Sequence, residues 1–212
     1  MNFLAHLHLA NDTPASMVGN LMPDLVHGKL PPIDDTEVQH GIMTHRRVDA
    51  FTDTHPIFAK SKAHFIEADS LPGTVSLRHF SGILVDVYYD HFLSADWHMY
   101  HEMSLPEFIG HAYMRLHEGC EYMPKQMLSR MARIRDADYL SQYATTQGLN
   151  NVLTLMSMRF SERLDRNIQM QHSVPIMLAN YQALREEFHA FYPQLMKYVE
   201  NCNAETTNVC EM

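Results

Sequence analysis

A chain of 212 residues with 46% hydrophobic and 19% charged residues carries enough apolar material for one globular domain and lacks the composition of a disordered segment. Its formal net charge of −9 excludes broad electrostatic adhesion to nucleic acid or an anionic bilayer, so an acidic partner has to meet a local basic patch. Only eight glycines, with no alternating apolar runs joined by Asn-Gly or Asp-Gly turns, argue against a hairpin-rich fold and predict an all-α protein.

In chain order, MNFLAHLHLA places His6 and His8 inside an apolar segment. If the segment is helical the two rings point about 200° apart and cannot share a site; if it is extended they share a face. Asn11-Asp12-Thr13-Pro14 is a helix start, and the stripe Met17, Leu21, Leu25 runs on to a stop near Gly28. Pro23 removes one backbone donor from this helix and predicts a kink just before Asp24, whose carboxylate is then either aimed by the kink or simply solvated. Lys29 to Glu37, with Pro31-Pro32 and Asp34-Asp35, reads as a loop.

HGIMTHRRVDAFTD, residues 40–53, puts the most chemistry into one predicted helix. His45 and Asp49 stand one turn apart on one face, with Asp53 about 80° round from His45. The small or apolar neighbours Gly41 and Val48 turn that face inward, where imidazole and carboxylate need partners. Arg46 or Arg47 pairing with Asp49 and Asp53 is one solution. A divalent ion held by imidazole and carboxylate at i and i+4 is the other.

The helix is predicted to end at His55-Pro56, and an amphipathic segment to about residue 70 is punctuated by Leu71-Pro72-Gly73. Residues 75–97 read as the most buried helix, with an apolar arc through Leu77, Phe80, Leu84, Val87 and Tyr88 that includes His91. Asp86 and Asp90 lie one turn apart on a neighbouring strip and repel each other unless paired. A bound cation relieves that repulsion; an outward-facing, solvated strip is the alternative. Ser104-Leu105-Pro106-Glu107 starts a helix to Glu121. Lys125, Arg130, Arg133 and Arg135 then form the clearest local basic surface, with Arg130 and Arg133 side by side; pairing with Asp136 and Asp138 would make it an ordinary solvated face. Helices over 138–147 and 150–165 are expected to be split by Gly148, with Arg159, Arg163 and Arg166 near the end of the second. Ser173 and Pro175 are expected to open one last long helix, kinked at Pro193, with an apolar stripe Tyr181, Leu184, Phe188, Phe191, Leu195. The expected organisation is a single domain over 1–200 and a polar, frayed tail over 201–212. No run approaches a membrane span and no leader pattern is evident, so a cytoplasmic protein is expected; Cys120, Cys202 and Cys210 show no metal-type pairing or disulfide framework.

The segments MNFLAHLHLA, GNLMPDLVHG, HRRVDAFTD, VDVYYDHFL and FYPQLM resemble, in order and spacing, the bacterial acyl carrier protein phosphodiesterase family, also called ACP hydrolyase, over roughly residues 1–196. The resemblance implies a compact HD-like helical bundle with rearranged motif order. It also implies metal-dependent hydrolysis of the phosphodiester that joins 4′-phosphopantetheine to the serine of holo-acyl carrier protein, with Mn²⁺ or Mg²⁺ as the ion. The family's acidic and histidine positions match Asp24, His45, Asp86 and Asp90 as catalytic and metal residues, with His6 and His91 beside them. Oxygen-rich ligation of this kind suits magnesium or manganese better than a thiolate-type zinc site. Arg46, next to His45, is the expected phosphate contact, and Arg130 and Arg133 the expected seat for the carrier's acidic helix. The sequence departs from the family at Pro23, where a small helix former is usual, and at Met158-Arg159-Phe160, where relatives are richer in arginine, which weakens any substrate role for that segment. The competing expectations are an HD-like phosphohydrolase of a nucleotide or other small phosphodiester, and a non-catalytic helical binding module whose His and Asp residues form structural pairs.

Overall fold

The computed structural model describes residues 1–67 and 73–210, the side chains of 206–210 excepted, and among these described residues it contains eleven α-helices and no strand. The all-α expectation therefore holds. The expected breaker Leu71-Pro72 falls outside the described residues.

The N-terminal segment resolves to a helix, α1 (Phe3–His8). A helix of six residues cannot hold itself together, because its nucleation cost exceeds the hydrogen bonds it gains. Asn2 accepts the Phe3 amide at 2.9 Å, and Asp90 accepts the Leu4 and Ala5 amides at 2.7 and 3.2 Å. These bonds satisfy first-turn donors that would otherwise be orphaned, and they place a carboxylate at the positive end of the helix. Leu4, Ala5, His6 and Leu7 are buried as a result.

Thr13 caps α2 (Pro14–Leu25), accepting the Ser16 amide at 3.2 Å, with Pro14 in the first turn where its missing donor costs nothing. Pro23 is accommodated inside this helix, which continues through Asp24. Asp35 caps α3 (Thr36–Thr54) through the Glu37 and Val38 amides. The two helices meet backbone to backbone at Gly19 and Gly41: a Cβ added at Gly41 would lie 2.4 Å from the Ser16 carbonyl oxygen, and one at Gly19 2.3 Å from that of Val38. Only glycine permits this approach, and it draws the Asp24 end of α2 against His45.

After α4 (Pro56–Ile66) and a 3₁₀ turn over Leu77–Phe80 comes α5 (Ser81–Ala95), shorter than the helix expected over 75–97. Ser76 caps the 3₁₀ turn at one end, and Trp97–Met99 form a second 3₁₀ turn at the other. α6 (Leu105–Glu118) opens with a capping box between Ser104 and Glu107, and α7 (Lys125–Asp136) follows. α8 (Tyr139–Gln142) and α9 (Thr146–Leu164) separate at 143–145 rather than at Gly148. Gly148 sits in the first turn of α9, donating its amide to the Thr145 cap at 3.0 Å, and a Cβ there would lie 2.0 Å from the Gln142 carbonyl oxygen. It is a close-packing glycine, not a helix stop. The expected single last helix is two, α10 (Val174–Ala179) and α11 (Tyr181–Cys210), broken at Asn180; α11 runs through Pro193 and on into the expected tail.

α5 lies against α1, α4, α9 and α11. Leu84, Val87 and Tyr88 are buried as their periodicity requires, but so are Val85, Tyr89, Asp90 and Phe92, so the helix is enclosed on the carboxylate strip as well. Phe58, Phe65, Phe188 and Phe191 close around it, each contributing roughly 1.5–3 kcal/mol of burial. No helix among the described residues is long and apolar enough to cross a membrane.

Candidate active site

α1, α2 and α3 bring two imidazoles and a carboxylate together. His6 and His45 stack with ring centroids 4.0 Å apart. Asp49 faces both: its Oδ1 lies 3.2 Å from His6 Nε2 and its Oδ2 lies 3.0 Å from His45 Nε2. Asp24 Oδ1 stands 3.8 Å from His45 Nε2. The Met1 ammonium lies 3.4 Å from Asp49 Oδ1 and 3.0 Å from Asp86 Oδ1, so those two carboxylates converge on a common positive charge.

The backbone of α2 sets the orientation of His45. The Asn20 carbonyl accepts from its Nδ1 at 2.7 Å, which puts the proton on Nδ1 and turns Nε2 toward Asp49. His6, like the equally buried side-chain amide of Asn20, is left without hydrogen-bond partners among the described residues in this part of the interior. It is fully buried, and neither ring nitrogen has a hydrogen-bond partner among the described residues; the approach to Asp49 is a contact without hydrogen-bond alignment. A buried, unpaired polar ring costs about 1–3 kcal/mol unless something else occupies its lone pair.

The titration behaviour follows from the same geometry. Burial, then the neighbouring His45, pushes His6 below its usual pKa and keeps it neutral. Burial also opposes the charged form of His45, but the Asp49 hydrogen bond and the Asp24 charge outweigh it and raise its pKa. Burial works against ionised Asp49 as well, yet His45, His6 and the Met1 ammonium hold it well below the carboxylate range. Asp90, the most enclosed, is pushed up to about 7 by burial against the pull of the two amides it accepts.

His6, His45 and Asp49 each offer one ligand atom, a ring nitrogen or a carboxylate oxygen, and these three atoms all lie within 4.8 Å of one another. Two imidazole nitrogens, one carboxylate, and flanking Asp24 and Asp86 make a mixed nitrogen–oxygen donor set of the kind that takes a divalent ion. The orphaned nitrogens of His6 fit such a ligand better than they fit a closed structural network.

A cleft of about 280 Å³ opens beside this cluster, lined by Asp24 and Asp86 together with Phe3, His27, Ile83, Tyr139, Met156, Arg159, Phe160 and Arg163. Of the residues expected from the sequence, His6, His45 and Asp24 come together around Asp49, and Asp86 joins them through the Met1 ammonium. Asp90 does not reach the cluster, because both its oxygens are taken by the amides of α1. Nor does His91, whose Nδ1 lies 2.7 Å from the Tyr143 carbonyl oxygen and whose Nε2 lies 3.2 Å from the Tyr181 hydroxyl. Arg46 is exposed and outside the cleft lining. Arg130 donates to the Leu25 carbonyl at 2.9 Å, next to Asp24, while Arg133 stays exposed on α7 with its Nε donating to the Ser129 carbonyl. Arg159 and Arg163, noted only as charges near a helix end, line the cleft; their i, i+4 spacing was the signal.

The model of the family described as acyl carrier protein phosphodiesterase matches residues 1–195. The chain belongs to that family. Proteins named acyl carrier protein phosphodiesterase from Photorhabdus laumondii and Yersinia enterocolitica are 35% and 33% identical over 202 residues, covering 95% of this chain and 96% and 98% of the relatives. One from Enterobacter sp. strain 638 is 34% identical with 95% and 98% covered. No solved structure matches the chain significantly. In a chain of this acyl carrier protein phosphodiesterase family, the histidine and carboxylate cluster and the cleft beside it form the candidate site.

Proposed function

We propose that this chain is a phosphoric diester hydrolase that cleaves the phosphodiester between 4′-phosphopantetheine and the serine of holo-acyl carrier protein in the cytoplasm. His6, His45 and Asp49, flanked by Asp24 and Asp86, hold Mn²⁺ or Mg²⁺ in this reading. One observation carries it: the fully buried imidazole of His6, with no aligned hydrogen bond at either ring nitrogen among the described residues, set against His45 and Asp49 at the side of a cleft, in a chain of this family.

A bound divalent ion supplies Lewis acidity toward the phosphodiester oxygens and lowers the pKa of water. The chain's own residues do the rest. The Asn20 carbonyl fixes the Nδ1 proton of His45 and burial keeps His6 neutral, so His6 offers a lone pair, and an ion at His45 Nε2 would replace the proton that faces Asp49. Asp90 anchors α1 and thereby holds His6 over His45. Asp24, half exposed at the lip of the cleft, is the acceptor for a proton of the attacking water. The water oxygen bonds to phosphorus, the bond from phosphorus to the serine Oγ breaks, and the proton taken up by Asp24 returns to that oxygen, so that the serine leaves as the hydroxyl of free apo-carrier. Arg130, next to Asp24, and Arg133, exposed on α7, offer the acidic carrier a local positive surface in a chain of net charge −9.

The test is a mass measurement. Purified protein is incubated with holo-acyl carrier protein and Mn²⁺ or Mg²⁺, with a chelator control, and the carrier is weighed intact. The expected result is metal-dependent loss of the phosphopantetheine mass. An unchanged carrier alongside cleavage of a small phosphodiester would replace this reading with the nucleotide-type one.

A further inference from the structure

The inner face of α9 interleaves cations with apolar side chains. At about 100° per residue, Met156, Arg159, Phe160 and Arg163 fall within an arc of about 100°, and all four line the cleft that also holds Asp24 and Asp86. Met156 and Phe160 are only partly buried, and with Phe3 and Ile83 they leave an apolar wall inside the cleft. The arginines that form ion pairs among the described residues are Arg115, Arg135 and Arg185; Arg159 and Arg163 form none. The field of Arg130, with slight burial and then Arg163 and Arg159, pulls His27 below its usual pKa, so the positive field of these arginines reaches the rim. An acidic protein that leaves two guanidiniums unpaired beside an apolar wall presents the complement of an amphipathic anion. The cleft, at about 280 Å³, is near the lower end of small-molecule sites and too small for a protein helix.

We propose that the α9 face recognises the prosthetic arm itself: Arg159 and Arg163 contact the phosphate, and Met156, Phe160, Ile83 and Phe3 receive the largely aliphatic pantetheine chain attached to it. This rests on the proposed function for the identity of the arm, and it assigns the substrate's two ends to different surfaces. The small prosthetic arm enters the cleft under α9, whereas the carrier's acidic body stays on α7. Arm recognition is then a property of the cleft that persists without any carrier.

The experiment is calorimetric titration of the full-length protein, in Mg²⁺, with free 4′-phosphopantetheine, inorganic phosphate and unphosphorylated pantetheine. The parent protein is expected to bind phosphopantetheine about tenfold or more tighter than either fragment. Arg163→Gln and Arg159→Gln, both at exposed positions, should weaken phosphopantetheine and phosphate alike by about tenfold. Met156→Ala and Phe160→Ala should weaken phosphopantetheine severalfold and leave phosphate unchanged. Phe160 also packs on Phe80, so Met156→Ala provides the wall test that does not depend on that contact. Phosphopantetheine bound no tighter than phosphate, or wall variants indistinguishable from the parent, would overturn the proposal. A protein that shows the binding split but leaves holo-carrier intact would keep the arm site and remove the proposed reaction. A protein that cleaves the carrier without the split would do the reverse.

Discussion

Two regions of this molecule are built from the same residue types and come out differently. Where the end of α5 meets α11, Asp96 is buried and accepts from Arg185 Nε at 2.7 Å, from the second Arg185 nitrogen, and from His189 Nε2 at 2.9 Å; His189 Nδ1 in turn lies 2.6 Å from the Tyr100 hydroxyl. That carboxylate and that imidazole have all their partners within the chain. At the meeting of α1, α2 and α3, His6 and His45 share Asp49 and stack on each other, yet His6 keeps both ring nitrogens without a hydrogen bond among the described residues, and a cleft lies alongside. The lesson is that a His–Asp cluster is recognised as a site by what it leaves unsatisfied. A closed network stabilises; an open one keeps donor atoms to offer.

The comparison can be broken most decisively at Asp49. Asp49→Ala is expected to lower metal content below stoichiometry and turnover on holo-acyl carrier protein by at least about a hundredfold, measured by elemental analysis and intact mass. Stoichiometric metal with normal turnover in that variant would place the open network elsewhere. Asp90 sharpens the contrast, because it belongs to the same motif as Asp86 but behaves like the closed region. Asp90→Asn leaves one amide of α1 without an acceptor and is expected to cost about 3 kcal/mol in urea unfolding, with metal still bound at saturating concentration. Loss of metal from a variant that keeps its stability would make Asp90 a ligand after all.

The smallest effect is expected at the closed network itself. Arg185, against the opposing effect of burial, pulls Asp96 below the usual carboxylate pKa. A depressed folded pKa gives stability that is present above the unfolded value of about 4 and is lost as pH falls through the folded value. Asp96→Asn should therefore cost about 1–2 kcal/mol at pH 7, since Arg185 is partly solvated, and the gap from the parent should close below about pH 4 in thermal melts. Metal content and turnover should stay at the parent's level. A variant whose metal binding changed would mean that the two regions are one.

The sequence was most informative where the physics is local. Thr13, Asp35 and Ser104 cap helices because each side chain bonds an amide two or three residues away, and Pro14 and Pro106 sit where a missing donor costs nothing. His45 and Asp49 could be placed on one face for the same reason, since one turn of helix fixes their spacing. Reading failed where a residue's role depended on a distant surface. Gly148 looks like a helix break until the Gln142 carbonyl is seen against it. His6 and His8 look alike, yet α1 turns one onto His45 and the other toward the Tyr192 hydroxyl at 2.7 Å.

By itself, then, the sequence determined an all-helical chain, most of its helix starts, its family motifs and the His45–Asp49 pair, because periodicity and capping act over a few residues. The tertiary structure alone decided that Asp90 serves α1, that His6 stands unpaired over His45, and that Arg159 and Arg163 line the cleft. Those outcomes come from contacts as long as 86 residues in sequence, between Leu4 and Asp90, and from the glycine-to-glycine approach of α2 and α3. No local spacing encodes which of several carboxylates a distant helix terminus will claim, because that choice is made by packing.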